Sequence, residues 1–407
     1  MAPPLGLMGR SVSPLFLSLL MVLTSLSGCI FEDDTSASGE LLAVFSFSPS
    51  NNNRVGDEIK FDASASMPQD GSLTYRWNFD AIGSQDIDAT GQSAYWTYDT
   101  TGEYTVSLTI SDGTRTSEQT RKITISEEDA QPPNAEIYQF ADAEDCDNNE
   151  ITDSRASRSI LVWICEYDIS HSDRTISATT KIDLDASDSS AGDSSQYIAE
   201  YRWDLNLNDD KDNDGDAEND DDLTGETVSW NDVKPGEYKI GLTVVNNVGM
   251  IDSTTMTVIV CYAGYWPDFE MAGNTSGSPV ELDFDVFVNY DKTAGNTIQK
   301  LVAELEYPEQ DDDWVVGGNA QQNRNKLDIF AYNEEDDEVS NTTETDPDSR
   351  EDGDCNDDEQ DCIHLTLSSY LFTDTESTYG DGEWTLTIRN GRFNDITVDQ
   401  FVIRIFY

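Results

Sequence analysis

Short segments in which apolar and polar residues alternate recur along most of the chain. Alternation at period two, bounded by Gly, Asp, Asn or Ser, predicts half-buried strands of antiparallel sheets, and long segments with helical periodicity are hard to find. In the C-terminal part, the pattern predicts strands at residues 280–290, 297–307, 326–332, 363–367, 383–390 and 397–406. The chain is therefore predicted to be all-β.

An internal repeat divides the earlier part of the chain. The repeated segments are 61–66 (FDASAS), 75–78 (YRWN) and 102–110 (GEYTVSLTI), matched in the same order by 184–189 (LDASDS), 201–204 (YRWD) and 236–244 (GEYKIGLTV). Each segment alternates like a strand, and the Trp in the second segment of each copy is suited to fill the space between two sheets. We predict tandem sandwiches at residues 42–126 and 133–261, joined by an acidic, proline-containing linker at 127–132.

These segments resemble the PKD (polycystic kidney disease) domain, an extracellular sandwich of the immunoglobulin type. The first copy follows the family pattern closely, although Asn78-Phe79-Asp80 stands where the family usually has Asp-Phe-Gly-Asp. The second copy lacks the Phe after Trp203 and carries inserts at residues 142–176 and 205–222. The resemblance implies non-catalytic modules that act as spacers or interaction surfaces in secreted and cell-surface proteins.

Residues 262–407 are predicted to form a third β unit with a mobile acidic loop at 333–361. Its segments 382–388 (GEWTLTI) and 398–405 (VDQFVIRI) resemble the closing strands of the P domain, the jelly-roll module that accompanies proprotein convertases. An unrelated sandwich is the alternative. The predicted fold class is all-β, with tandem immunoglobulin-like (PKD) sandwiches followed by a jelly-roll-like β-sandwich.

The N-terminus has the pattern of an export signal. Residues 1–28 contain a basic flank at Arg10 and an apolar run at 15–26 that is too short to span a membrane. The sequence Leu26-Ser27-Gly28-Cys29 resembles the lipobox of prokaryotic lipoproteins, which implies that Cys29 carries a lipid anchor. A flexible acidic tether at 29–41 would follow. We therefore predict an exported protein that is lipid-anchored to the outer face of the cytoplasmic membrane or to the cell envelope. The alternatives to a lipobox are a plain signal peptide and an uncleaved signal anchor.

The net charge of the chain excludes some classes of binding partner. The sequence has 81 Asp and Glu against 23 Lys and Arg, a formal net charge of -58. This sign argues against nucleic acid and against anionic lipid, so contact with the membrane is predicted through the lipid anchor only. Salt at 1 M shortens the Debye length to about 3 Å and screens self-repulsion. The composition therefore suits a marine or halophilic archaeon or bacterium.

An acidic segment in the second copy has the spacing of a calcium loop. Oxygen donors recur at alternate positions around Gly215, and the candidate ligands are Asp210, Asp212, Asp214, Asp216, Glu218 and Asp221. Such a loop wraps a hard cation, and calcium fits better than zinc. It resembles the loops of EF-hands, dockerins and thrombospondin type 3 repeats, except that the last position is Asp rather than Glu. A solvated acidic loop without a metal is the alternative.

Export makes disulfides available to the five cysteines that follow Cys29. Cys355 and Cys362 bracket a short acidic loop, and Cys146 and Cys165 lie within the first insert. These two pairs are the predicted disulfides. Cys261 is the predicted odd thiol, with a Cys165 to Cys261 bond as the alternative.

The sequence favours a binding protein over an enzyme. It contains only two histidines, and it has neither a Gly-x-Ser-x-Gly nor a His-Glu-x-x-His motif, so no catalytic residue is predicted. We predict an adhesion, binding or scaffold protein with calcium-ordered loops and an extracellular protein or glycan as partner. The alternative is an accessory subunit or catalytic chain of an exported protease or polysaccharide hydrolase, because both resembled modules often flank such enzymes.

Overall fold

The computed structural model describes residues 41–209, 211, 220–274, 277–288, 298–309, 325–345, 350, 360–372 and 382–407. These residues form 22 strands and short 3-10 turns, which confirms the predicted all-β class. They divide into two compact units, of which one contains residues 41–48, 58–96 and 104–123 and the other the remaining described residues. The predicted signal peptide, Cys29, Cys355 and five of the six predicted calcium ligands, all except Asp221, lie outside the described residues.

The first copy of the repeat is a two-sheet sandwich. Its strands are β1 (Ser46–Ser48), β2 (Asn53–Arg54), β3 (Glu58–Asp62), β4 (Thr74–Asn78), β5 (Ala89–Thr90), β6 (Ser93–Thr97), β7 (Gly102–Ser111) and β8 (Thr116–Ser126). One sheet has the order β1-β3-β6 and the other has the order β2-β8-β7-β4-β5. Apolar residues alternate with polar ones on these strands, so each sheet turns one apolar face inward.

The second copy repeats this arrangement. Its strands are β9 (Ile160–Glu166), β10 (Thr180–Asp185), β11 (Ile198–Asp204), β12 (Leu223–Thr224), β13 (Thr227–Val233), β14 (Gly236–Asn246) and β15 (Ile251–Met271). The pairs β10-β13, β11-β12 and β11-β14 are antiparallel. They correspond to β3-β6, β4-β5 and β4-β7 of the first copy.

The two repeated tryptophans occupy the same place in both copies. Trp77 and Trp203 are each 0% exposed. The indole Nε1 of Trp77 donates to the carbonyl of Gly91 at 2.8 Å, and that of Trp203 donates to the carbonyl of Gly225 at 2.9 Å. Their prediction as core residues is therefore confirmed, and the polar edge of each ring is satisfied by a neighbouring strand.

The C-terminal strands complete a second sandwich. They are β16 (Val280–Val288), β17 (Lys300–Pro308), β18 (Leu327–Tyr332), β19 (Glu338–Asn341), β20 (Gln360–Ser368), β21 (Gly382–Asn390) and β22 (Ile396–Phe406). One sheet has the order β16-β21-β18-β19, and the other, which we call the long sheet, has the order β12-β11-β14-β15-β22-β17-β20 with β9 on β15. Trp266, Phe284 and Phe401 join the two sheets, with ring centroids 4.6–6.1 Å apart.

The predicted division after residue 261 is wrong. Strand β15 runs without interruption through 21 residues, pairing first with β14 and then with β22. Its residues 258–266 are buried throughout, as expected of a strand covered on both faces. The second copy and the C-terminal region therefore share one strand and one compact unit.

The predicted insert at 142–176 also contributes to the core of this unit. It contains β9, which pairs in parallel with β15 from Ile160 to Glu166. The insert is thus partly a strand of the long sheet.

The predicted acidic loop at 333–361 is partly structured. It contains β19 and the start of β20, and Arg350 is only 3% exposed. The guanidinium of Arg350 donates to Tyr307 Oη at 3.0 Å, to the carbonyl of Thr342 at 2.9 Å and to Asp328 Oδ1 at 2.5 Å. A buried, paired arginine in a segment that is otherwise acidic gives it a fixed point on the sheet.

Candidate functional site

The turn that follows β11 holds a buried carboxylate. Asp204 is the last residue of β11 and is 4% exposed. Its Oδ1 accepts a hydrogen bond from the backbone N–H of Asn206 at 2.9 Å. No donor among the described residues reaches its Oδ2. A buried carboxylate oxygen without a donor is costly, so this position calls for a proton or a cation.

The first copy shows how the same position is satisfied by an amide. Asn78 stands at the end of β4, where Asp204 stands at the end of β11. Its Oδ1 accepts from the N–H of Asp80 at 2.9 Å, and its Nδ2 donates to the carbonyl of Ser84 at 2.8 Å. Only the second copy therefore has a carboxylate oxygen in place of the amide donor.

Further carboxylates lie around Asp204. Asp222 Oδ2 accepts from the N–H of Leu205 at 2.8 Å, and Asp220 Oδ2 accepts from the N–H of Lys211 at 2.6 Å. The Lys211 ammonium pairs with Asp222 Oδ1. Burial raises the pKa of Asp204; the hydrogen bond from Asn206 opposes this rise and the charge of Asp222 adds to it. The Lys211 ammonium pairs with one of these carboxylates, and the charges of Asp222 and Asp220 both raise the pKa of Asp204, so the turn is an electrostatically favourable place for a cation.

Of the six predicted calcium ligands, only Asp221 belongs to the described residues. Asp221 accepts a hydrogen bond from Arg202 at 3.3 Å, so its carboxylate already has a cationic partner. Within the described ranges, no three Asp, Glu, His or Cys side chains lie close enough together to hold a metal ion. Asp204 was missed as a candidate ligand by the spacing argument, although the alignment of YRWN with YRWD contains the exchange.

A second feature is the segment 142–158, which we call the disulfide segment. Cys146 and Cys165 form a disulfide with their Cα atoms 5.5 Å apart, the pairing that the sequence predicts. Cys165, Ala263 and Arg404 are register neighbours on one side of the long sheet, which we call its outer face. The disulfide segment therefore covers part of this face, and Cys146 packs there against Ala263.

An ion-pair network ties the disulfide segment to the outer face. Arg404 donates to both oxygens of Asp147, at 2.8 and 3.0 Å, and to Glu304 at 3.2 Å. Tyr265 Oη donates to Asp147 at 2.5 Å. Burial on its own would raise the pKa of Asp147, but the hydrogen bonds from Arg404 and Tyr265 hold this pKa below its ordinary value. The segment is thus held covalently by one residue and electrostatically by the next.

The remaining cysteines differ in state. Cys261 is free and buried, as the odd thiol predicted from the sequence, and burial raises its pKa to about 11. A thiol with such a pKa stays neutral and unreactive near neutral pH. Cys362 takes part in a disulfide, and its predicted partner Cys355 lies outside the described residues.

The first sandwich has a recognisable family. Residues 44–126 match the sequence model of the PKD domain. The chain thus contains a PKD domain where the repeat analysis predicts one. None of the curated proteins matches the chain significantly. The described residues contain no helix that is both long and apolar enough to cross a membrane.

Several solved structures align with most of the chain at low similarity. One comes from a study of the promiscuous specificity of carbohydrate-binding modules of the β-sandwich superfamily, with 12% identity, 91% of this chain and 97% of that chain covered, and a TM-score of 0.20. Another contains three N-terminal domains of the outer capsid protein Hoc of bacteriophage RB49, with 13% identity, coverages of 88% and 98%, and a TM-score of 0.24. A third is SGBP-B of Bacteroides ovatus in complex with a mixed-linkage heptasaccharide, with 11% identity, coverages of 93% and 98%, and a TM-score of 0.17. TM-scores this low support no inference about ligand or partner.

Proposed function

We propose that this chain is an exported, lipid-anchored cell-surface protein whose non-catalytic β-sandwich modules bind an extracellular protein or glycan, or act as a scaffold. The observation that carries the proposal is the PKD domain at residues 44–126. The bond between Cys146 and Cys165 supports it, because disulfides persist mainly in oxidising compartments outside the cytosol. In this proposal Cys29 holds the lipid, and two acyl chains provide stable anchoring.

Metabolic labelling tests the anchor. In a prokaryotic host that processes lipoproteins, the wild type should incorporate an alkyne-labelled fatty acid and sediment with membranes. The Cys29→Ala variant should incorporate none, because the acceptor thiol is missing. Unlabelled wild type, or equal labelling of both chains, would contradict the anchor.

Binding and catalysis are separated by two measurements on the mature protein. A glycan array and a pull-down from envelope fractions should identify a ligand. Incubation with casein and with polysaccharides should give no turnover. Turnover that is abolished by replacing a single carboxylate would favour the alternative, an exported hydrolase.

Calcium binding at the acidic turn of the second copy is the second part of the proposal. The buried Oδ2 of Asp204, which has no donor among the described residues, supports it. The other ligands would come from the predicted loop: Asp210, Asp212, Asp214, Asp216, Glu218 and Asp221. Carboxylate oxygens of this kind suit calcium, and extracellular modules bind it with Kd of about 10⁻⁴ to 10⁻³ M.

Replacing Asp204 by Asn tests this site with the residue that the first copy uses. At a calcium concentration of 100 times Kd, the wild type should gain about 2.7 kcal/mol of stability, and Asp204→Asn should lose most of this gain. In calcium-free buffer Asp204→Asn should be more stable than the wild type. Because the folded-state pKa of Asp204 is raised, its ionisation destabilises the wild type as the pH rises through that pKa, and the variant lacks this loss. Thermal unfolding with calcium and with EGTA across a pH series measures both effects.

Asp188→Asn is the matched control, because Asp188 is an exposed acid of the same sandwich. It should keep the full response to calcium. The double variant Asp212→Ala with Asp214→Ala should weaken calcium binding in calorimetry. Equal calcium heats in the wild type, the double variant and Asp204→Asn would rule out the site.

A further inference from the structure

A cavity of about 170 Å³ lies between the disulfide segment and the outer face of the long sheet. Its apolar lining includes Leu161 and Trp163 on β9, Phe406 on β22, and Ile151. Its acidic lining comes from the disulfide segment and comprises Asp145, Glu150 and Asp153. Pockets for drug-sized ligands measure about 300–1,000 Å³, so this cavity has room for a small molecule or a single head group.

Three aromatic residues, Trp163, Phe406 and Tyr407, line this cavity. The rings of Trp163 and Phe406 meet edge to face, with centroids 5.2 Å apart and planes at 85°. The Lys300 ammonium, which is outside the cavity lining, already lies 4.4 Å from the centroid of the Phe406 ring. Trp163 is half-buried, and the face of an indole is the best cation acceptor among the aromatic side chains.

The charges at the cavity are mostly negative. Arg155 is the one cationic side chain in its described lining, and its guanidinium lies beside two carboxylates and a main-chain oxygen. It donates to Asp153 at 2.8 Å and to the main-chain oxygen of Tyr407 at 2.5 Å, and it lies 3.6 Å from Glu237. In contrast, the exposed Glu150 carboxylate has no side-chain partner among the described residues. An anion would therefore have to compete with the carboxylates beside Arg155, whereas a cation would meet the Glu150 carboxylate, which has no side-chain partner among the described residues.

We propose that this cavity binds a small organic cation through an alkylated ammonium head group. The head group would contact the rings of Trp163 and Phe406, and Glu150 would supply the counter-charge. Cation–π attraction and ion pairing act together here. The rings are partly shielded from water, whereas the pair with the exposed Glu150 is open to solvent and is therefore weakened by salt. A neutral sugar could use the rings, but it would gain nothing from the carboxylate.

Choline and its neutral carbon isostere, 3,3-dimethylbutan-1-ol, test this site in the full-length mature protein. Calorimetry and ligand-observed NMR in EGTA keep calcium out, so the result is independent of Asp204. Choline should bind, binding should weaken as salt is raised, and the isostere should bind at least about tenfold more weakly. Equal affinity for the two compounds, no binding of choline, or stronger binding of a neutral hexose that competes with choline would overturn the proposal.

Variants locate the binding in the cavity. Glu150→Gln changes an exposed side chain and should weaken choline severalfold, whereas Glu128→Gln, the same change at an exposed position outside the lining of the cavity, should leave the affinity unchanged. Trp163→Leu should weaken binding about tenfold or more. If the Trp163 variant fails to fold, the pair of glutamate variants still decides the question. Equal losses in Glu150→Gln and Glu128→Gln would mean that only the general negative charge of the protein attracts choline, which would overturn the site.

Discussion

The Trp77→Ala variant should lose about 3–5 kcal/mol of unfolding free energy, because the whole indole lies in the core of the PKD domain. Its ring packs against Phe45 at 5.2 Å, Phe61 at 5.9 Å and Phe79 at 6.2 Å. The change also removes the donor to the carbonyl of Gly91. Small domains are stable by only about 5–15 kcal/mol, so this variant should lose a large share of the stability of its domain.

Guanidinium unfolding followed by far-UV circular dichroism measures this loss. Tyr95→Ala is the control, since Tyr95 is an aromatic residue of the same sandwich that is 59% exposed. It should change stability by no more than about 0.5 kcal/mol. A loss of less than about 1 kcal/mol for Trp77→Ala would place the indole outside the core.

Replacing both Cys146 and Cys165 by Ser should cost about 3 kcal/mol. The bond closes a loop with a sequence separation of 19, and a loop of this size loses about that much chain entropy in the unfolded state when it is cross-linked. The hydrogen bonds between Asp147 and Arg404 remain in the double variant, so the disulfide segment should loosen rather than detach. Denaturant unfolding under oxidising conditions gives the difference from the wild type.

Reductant provides the control for this experiment. Cys362 is also disulfide-bonded, so reduction of the wild type removes more than one link. The double variant with and without reductant isolates the contribution of Cys362, and the remainder belongs to Cys146 and Cys165. If the double variant is as stable as the oxidised wild type, the bond contributes nothing to the fold.

The sequence predicts much of the fold because the strands are half-buried. The predicted strands at 280–290 and 383–390 become Val280–Val288 and Gly382–Asn390, since alternation directly reflects the two faces of a sheet. The repeat likewise predicts Trp77 and Trp203 as core residues. The burial of strand residues and of these two tryptophans can be predicted from the local sequence alone, without knowing which strands pair.

Long-range pairing explains what the sequence does not predict. Tyr262, Trp266 and Pro267 resemble the start of a new domain, but they continue β15 because β22, from the far end of the chain, pairs with them. The period-two pattern is lost there, since both faces are buried. A single sequence contains no signal for that partner.

The two candidate sites also differ in how far local sequence patterns predict them. The calcium prediction uses only local spacing, and the exchange of Asn78 for Asp204 is visible once the copies are aligned. Its meaning depends on burial, which only the fold provides. The cavity beside Trp163 depends on a disulfide, a crossing strand and Phe406 from the C-terminal strand, so no local pattern predicts it.

The unbroken course of β15 has a mechanical consequence. At about 3.3 Å per residue, its 21 residues extend for about 70 Å. Tension along this strand would load its hydrogen bonds to β14, β22 and β9 in shear, so that many must break together. Under such tension the protein would resist extension at this strand, whereas two domains joined by a loose linker would only change their relative orientation.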